Sequence, residues 1–423
     1  MTPDFAARAK RGLPWLVLAG VMVAALSLRG PIFAPTPVMT EIESDLGIGA
    51  ATAGLLTTAP VLMFAALTPV AALVIRRAGA ELALLIALSG VLIGTFVRAL
   101  PGFGWMLAGM VVIGASITVG NVVIPVIIRR DVAPDRVALV TAAYVAMLNA
   151  GSLVTSMLTA PIAAVIGWPA ALLSWSLITV AGIVLWSVHL RRARRAGRGD
   201  RYSGAPPVPP VRHPGDVDPV ALTGPLPVVG RDRSLLRRPV AWLLLVAFGL
   251  QCLIYYALST WLPTFVADEL GLDAAAAGAI ASVYQGVGIL GAFLVPLLLR
   301  FTPRIVPPLV ICASWLVVTA GLVFAPQLLW VWLAVGAIGH AGGFVVIFSA
   351  LVAVARDDAE AAGMSALVQG GGYTIGAVGA PLMGGLHEAT GEWTAALVVM
   401  MVLAVFYCGA LLAAIAASHR ATR

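Results

Sequence analysis

Few side chains in this 423-residue chain could do chemistry, and they stand out against apolar sequence. Arg29, in Ser27-Leu28-Arg29-Gly30-Pro31, is the basic residue nearest the middle of an apolar segment. A guanidinium never deprotonates and presents a planar fork of donors that suits carboxylate-like groups, so its chemistry is anion binding. His340, in Gly339-His340-Ala341-Gly342-Gly343, is the histidine set deepest in an apolar segment. An imidazole there can donate to a solute or carry a proton near neutral pH. The plainer reading is a packed histidine whose flanking glycines let helices approach closely.

The remaining polar residues form stripes at helical spacing. Asn149, Ser152 and Ser156 share one face, as do Gln251, Tyr255 and Ser259, and Ser365, Gln369, Gly372 and Gly376. Asn121 has Pro125 one turn later, and Tyr284 is followed by Gln285. Interhelical hydrogen bonding explains roughly half of such residues without any ligand. The candidate solute-binding set is Arg29, Asn121, Gln251, Tyr255, His340 and Gln369, with a proton-coupling role for His340. A lone histidine without a nearby carboxylate makes a poor nucleophile–base pair and no metal cluster. No catalytic residue, metal or cofactor is expected. Arg98, near one end of an apolar segment, reads as an interfacial anchor.

The elements that position these residues are set by composition. Hydrophobic residues make up 61% of the chain, charged residues 11%, and mean hydropathy is +1.00. A soluble domain carries about 25% charged residues. Apolar runs of about 20 residues match a hydrocarbon core about 30 Å thick, and such runs must be helical to satisfy their own backbone. The pattern predicts spans at 13–40, 50–75, 80–99, 103–128, 137–165 and 168–190, then 240–267, 274–299, 304–325, 328–354, 361–386 and 392–417. None contains Asp or Glu except Glu81 at the start of the third and Glu392 at the start of the twelfth. If the first span instead ends near residue 34, Arg29 snorkels to an interface.

Residues 1–190 and 240–423 thus form two six-helix units around residues 191–239. That middle segment opens with Arg191-Arg192-Ala193-Arg194-Arg195, passes through Pro206-Pro207-Val208-Pro209-Pro210 and closes with Arg237-Arg238-Pro239. It cannot bury a core and reads as a disordered linker. The net charge of +7 comes from arginine, Lys10 being the only lysine. With both termini cytoplasmic, all of the 26 basic residues except Arg29 and Arg98 lie on one side, as the positive-inside rule requires. The opposite loops carry Glu41, Glu43 and Asp45, then Asp268, Glu269 and Asp273. The excess positive charge is therefore a topology signal rather than a nucleic-acid surface. The first apolar run continues past Arg29 without a cleavage pattern, so it is a retained span. Cys252, Cys312 and Cys408 fall in apolar spans and read as small core residues.

The two halves repeat. At an offset of 224, Asp45–Gly54 lands on Glu269–Gly278 with six of ten positions identical, and Arg76 lands on Arg300. Two six-span halves in parallel repeat, joined by a long loop, have the major-facilitator architecture.

A closer resemblance is carried by ordered motifs. These include Leu28-Arg29-Gly30-Pro31, Gly54-Leu55-Leu56-Thr57-Thr58-Ala59-Pro60 and Gly120-Asn121-Val122-Val123-Ile124-Pro125. Gly249-Leu250-Gln251 with Tyr255-Tyr256, Trp261-Leu262-Pro263-Thr264, Ser365-Ala366-Leu367-Val368-Gln369 and Gly384-Gly385-Leu386-His387-Glu388 continue the set. Together they resemble the cyanate / 2-nitroimidazole transporter family of the major facilitator superfamily. The resemblance implies a monomeric secondary transporter of the cytoplasmic membrane, moving a small anionic or polar organic solute. The alternative is a multidrug-type exporter of neutral small molecules. There are two departures. Arg76-Arg77-Ala78-Gly79-Ala80-Glu81 replaces the superfamily's Asp-Arg-x-Gly-Arg core, and Gly339-His340-Ala341 stands where relatives tend to carry Gly-Gln-Gly.

Overall fold

Where the long apolar runs bend is decided by proline and glycine. The computed structural model describes residues 15–132, 136–195, 237–355 and 358–421, and their regular structure is helical. In the first half, α1 is Trp15–Phe33, α2 Leu55–Ala78, α3 Ala80–Val97, α4 Phe103–Asp131, α5 Val137–Ile166 and α6 Ser176–Arg195, with Trp168–Ser174 leading into α6. In the second, α7 is Pro239–Leu270, α8 Ala274–Phe301, α9 Val306–Phe324, α10 Leu329–Val354, α11 Asp358–Gly376 and α12 Thr394–Ala421. A further piece, Gly379–Thr390, continues α11 after a short break.

Among the described residues, eleven helices are long and apolar enough to cross a membrane. The twelfth place belongs to α11 and its continuation. The sequence predicts one span over 361–386, whereas the chain breaks at Ala377-Val378. Pro381 has no N–H, so the carbonyl of Ala377 loses its helical donor. Thr58 of α2 donates to that carbonyl at 2.6 Å and takes the donor's place. Large apolar side chains such as Val165 (83% exposed), Phe324 (76%) and Ile93 (57%) point outward, as a lipid-facing surface requires.

The first span also differs from expectation, stopping as an α-helix at Phe33 rather than near residue 40. Pro35 and Pro37 deprive the carbonyls of Pro31 and Phe33 of helical donors. Thr36 satisfies Phe33 O at 2.9 Å, and Arg98 satisfies Pro31 O at 2.8 Å. The chain stays buried through Met39. Arg98 is therefore not an interfacial anchor. It is 1% exposed, and its second terminal nitrogen donates to Leu172 O at 3.1 Å. A carbonyl that proline leaves bare inside the bundle recruits it.

The expected linker is helical at its start, since α6 continues to Arg195, and α7 begins on Pro239. Residues 196–236 lie outside the described residues. Glu81, the acid displaced from the usual signature, sits in the first turn of α3 and pairs with Arg130 at the end of α4. Arg130 also forms a two-point bond with Asp131, at 2.8 Å for each contact. Burial alone would lower the Arg130 pKa, but the bonds and charges of Asp131 and Glu81 outweigh it and raise it.

Within each half the same device ties the acidic end together. Trp168 Nε1 donates to Asp45 at 2.6 Å, and Trp393 Nε1 donates to Asp268 at 2.8 Å. Between the halves, α2 packs on α11 and α5 packs on α8. The close contacts run from the acidic-loop end, where Ala51 N donates to Glu388 at 3.1 Å, through the Thr57–Thr260 hydroxyl pair at 2.8 Å. They reach the middle at Phe64 and Tyr373, whose rings meet edge-on at 5.6 Å.

Candidate functional site

Arg29 owes its position to close packing of α1 on α5. A side-chain carbon on Gly30 would lie 2.9 Å from Thr155, and one on Gly151 would lie 2.6 Å from Leu26 O. Only glycine at both positions permits this approach, and it brings Asn149 of α5 to the guanidinium. Arg29 Nη1 donates to Asn149 Oδ1 at 3.2 Å, and Nη2 donates to the Tyr255 hydroxyl at 2.9 Å. The guanidinium carbon lies 5.5 Å from the centre of the Tyr255 ring, within cation–π range. Both hydrogen-bond partners are neutral. Arg29 is partly exposed while Ser27, Leu28, Gly30 and Pro31 around it are buried.

Tyr255 is the hub. Its hydroxyl accepts from Arg29 and donates to Gln285 Oε1 at 3.4 Å, and Gln285 Nε2 donates to Ser259 at 3.3 Å. His340 lies flat on the Tyr255 ring, with centroids 4.0 Å apart and planes at 9°. Tyr284 sits on the same imidazole at 5.5 Å. Neither ring nitrogen of His340, nor the Tyr284 hydroxyl, has a hydrogen-bond partner, although both residues are buried. Native interiors leave few polar groups in that state.

Of the six residues expected from sequence, Arg29, Tyr255 and His340 gather in one cluster. Gln251 meets it only through the backbone. Its Nε2 donates to the His340 carbonyl at 2.8 Å, and its Oε1 accepts from Trp315 Nε1 at 2.8 Å, which locks α7 to α10 and α9. Asn121 accepts from Tyr144 at a long 3.4 Å. Gln369 donates to Ser365 one turn back on its own helix at 2.7 Å. Sequence reasoning left Asn149, Tyr284 and Gln285 out of the set. Asn149 had a usable signal, since it shares its face with Ser152 and Ser156. Which polar stripe turns toward Arg29 depends on helix rotation, and spacing alone does not report that.

The arrangement can hold an anion or a strong dipole. It offers a permanent cation held by two neutral oxygens, aromatic faces, and a buried imidazole beside it.

Comparison with known proteins bears on the whole chain. The family model described as Major Facilitator Superfamily matches residues 17–366. The chain is 30% identical over 395 residues to the 2-nitroimidazole transporter of Escherichia coli (strain K12), covering 92% of this chain and 93% of that protein. It is 23% identical over 380 residues to the cyanate transport protein CynX of the same organism, covering 89% and 91%. A crystal structure of the nucleoside transporter NupG superposes with a TM-score of 0.70 at 12% identity, covering 94% of this chain and 99% of that one. That last likeness concerns the fold.

Proposed function

The chain belongs to the Major Facilitator Superfamily, and on that premise we propose that it moves a small anionic or polar organic solute by alternating access, with Arg29 as the principal binding group. At the coarser level it is a small-solute transporter of a cell membrane, not an enzyme. The solute class is cyanate-like, small carboxylate or nitroimidazole-like. The first two carry a delocalised charge and the third a nitro dipole, each suited to a guanidinium fork.

The observation that carries this reading is the company Arg29 keeps. An arginine at the centre of a span costs about 2.5–3.5 kcal/mol on insertion scales. Asn149 and Tyr255 can bond it but cannot neutralise it. A solute anion would do so, through donors of the fork that these two oxygens leave free. Because Asn149 belongs to the first half and Tyr255 to the second, a solute at Arg29 touches both halves and can bias how they rock. His340, stacked on Tyr255, is the proposed proton carrier or second hydrogen-bonding group. Asn121, Gln251 and Gln369 complete the proposed surroundings.

In this reading residues 1–190 and 240–423 are the moving units, residues 191–239 join them on the cytoplasmic side, and both termini are cytoplasmic. Reporter fusions after residue 200 and after residue 423 should both read cytoplasmic, and a periplasmic signal from either would overturn that orientation. Transport is tested with Arg29→Lys and Arg29→Ala in proteoliposomes, using cyanate, acetate, benzoate and 2-nitroimidazole as solutes. Lys keeps the charge and loses the fork, so uptake should weaken, while Ala should abolish it at normal membrane levels. Wild-type uptake by a well-inserted Arg29→Ala protein would end the anion-site reading.

A further inference from the structure

Two arginines lie within the apolar body of the first half, and only one has been given a task. Arg98 closes α3 as its C-cap residue, 1% exposed, and its hydrogen bonds go to two backbone carbonyls and the Met110 sulfur. Two backbone carbonyls and a thioether are neutral acceptors, an odd reason to bury a cation where it is expensive. The carbonyl it holds explains the choice. Pro31 O lies two residues after Arg29 and is the group that Pro35 leaves without a helical donor. Pro35 keeps helical dihedrals, φ −68° and ψ −25°, so the chain there is helix-like apart from the missing N–H. Ala34 N, one residue earlier, still makes its helical bond to Gly30 O at 2.9 Å.

Arg98 replaces the missing bond from outside the helix and ties the replacement to Leu172 at the entry to α6. The backbone of α3 is itself pinned at this point. A side-chain carbon on Gly109 of α4 would lie 2.4 Å from Arg98 N. The proline-interrupted end of α1 is thus braced from a fixed point.

We propose that Arg98 is a positioning residue: by bonding Pro31 O it sets the end of α1 and so aims Arg29 at Asn149 and Tyr255. The inference rests on Arg29 being the solute-binding group. It assigns Arg98 no contact with the solute.

The test uses the full chain and needs no ligand for its first readout. Tyr255→Phe removes the Arg29 bond, so in the parent it should lower the unfolding midpoint in detergent. In an Arg98→Gln background Arg29 is no longer aimed, and Tyr255→Phe should then cause a smaller drop, that of the long Gln285 bond alone. Pro35→Ala returns the helical N–H, so Pro35→Ala with Arg98→Gln should restore the Tyr255→Phe effect. A merely structural role for Arg98 would lower the midpoint without changing that coupling. If Arg98→Gln does not insert, the Pro35→Ala double variant is compared with Arg98→Lys, which keeps the charge but can reach only one carbonyl well.

The second readout is uptake of whichever of cyanate, acetate, benzoate or 2-nitroimidazole the parent transports. Its KM should rise about tenfold in Arg98→Gln, the size of one lost hydrogen bond, and recover with Pro35→Ala. Unchanged Arg29–Tyr255 coupling in Arg98→Gln overturns the inference. Uptake insensitive to Arg29→Lys and Arg29→Ala, with the coupling behaving as described, would instead overturn the anion-site reading and leave Arg98 as a brace of α1.

Discussion

Gly54 and Gly278 stand 224 residues apart, and each meets the opposite half at a backbone site 224 residues from the other's. A side-chain carbon on Gly54 would lie 2.8 Å from the Ala380 carbonyl carbon, and one on Gly278 would lie 2.7 Å from Ser156 O. The first contact joins α2 to the continuation of α11, and the second joins α8 to α5. The repeat visible in the sequence is thus also a repeat of the contact that closes the acidic-loop end. The symmetry is broken one turn earlier. Asp273 caps its own helix by accepting from Ala276 N at 2.8 Å, whereas Gly49, at the matching position, has no side chain. Glu388 from the other half supplies the carboxylate, bonding Ala51 N.

Closure at this end therefore depends on two bare backbones. Gly54→Leu with Gly278→Leu should hold the halves apart there. A cysteine introduced at Thr260, which is buried against Thr57, should react faster with a membrane-impermeant maleimide, and uptake should fall. Unchanged labelling would mean that the halves part elsewhere.

Thr58 should matter more than an ordinary threonine of an apolar helix. It donates to the Ala377 carbonyl that Pro381 leaves bare, across the two halves. Thr58→Val keeps the shape and removes the donor, and a buried carbonyl without a partner costs about 1–3 kcal/mol. A lower unfolding midpoint is expected for Val and near-parental behaviour for Ser. Equal midpoints for all three would show that water or a shift in α11 fills the gap.

His340→Gln tests the imidazole against a group of similar hydrogen-bonding reach that cannot titrate. The imidazole packs on Tyr255 with both ring nitrogens unpartnered. If it carries a proton during transport, the dependence of uptake on pH between about 5 and 8 should flatten. A parental pH profile in the variant would leave His340 as a stacking partner of Tyr255.

Much of this molecule was legible in one dimension because the bilayer imposes one-dimensional rules. Spans need a minimum apolar length and must be helical, so eight of the twelve predicted spans return as single helices within four residues of their expected limits, while the second and sixth are each interrupted near their start. Arg29 was conspicuous for the same reason, since a charge is expensive where it sits. Spacing could not report which carbonyls proline would strip or which donors would replace the missing bonds. Thr58 on Ala377 and Arg98 on Pro31 join residues 319 and 67 positions apart. They turned an expected eleventh span into two pieces and an expected surface anchor into a buried brace. Nor could spacing rank the polar stripes. Asn149 and Gln251 both lie on polar faces of apolar helices, yet Asn149 meets Arg29 and Gln251 locks Trp315. The difference is helix rotation, which is fixed by glycine contacts such as Gly30 on Gly151 and Gly343 on Gln251. Rotation is set by what fits between neighbouring helices, and only the packed structure decides that.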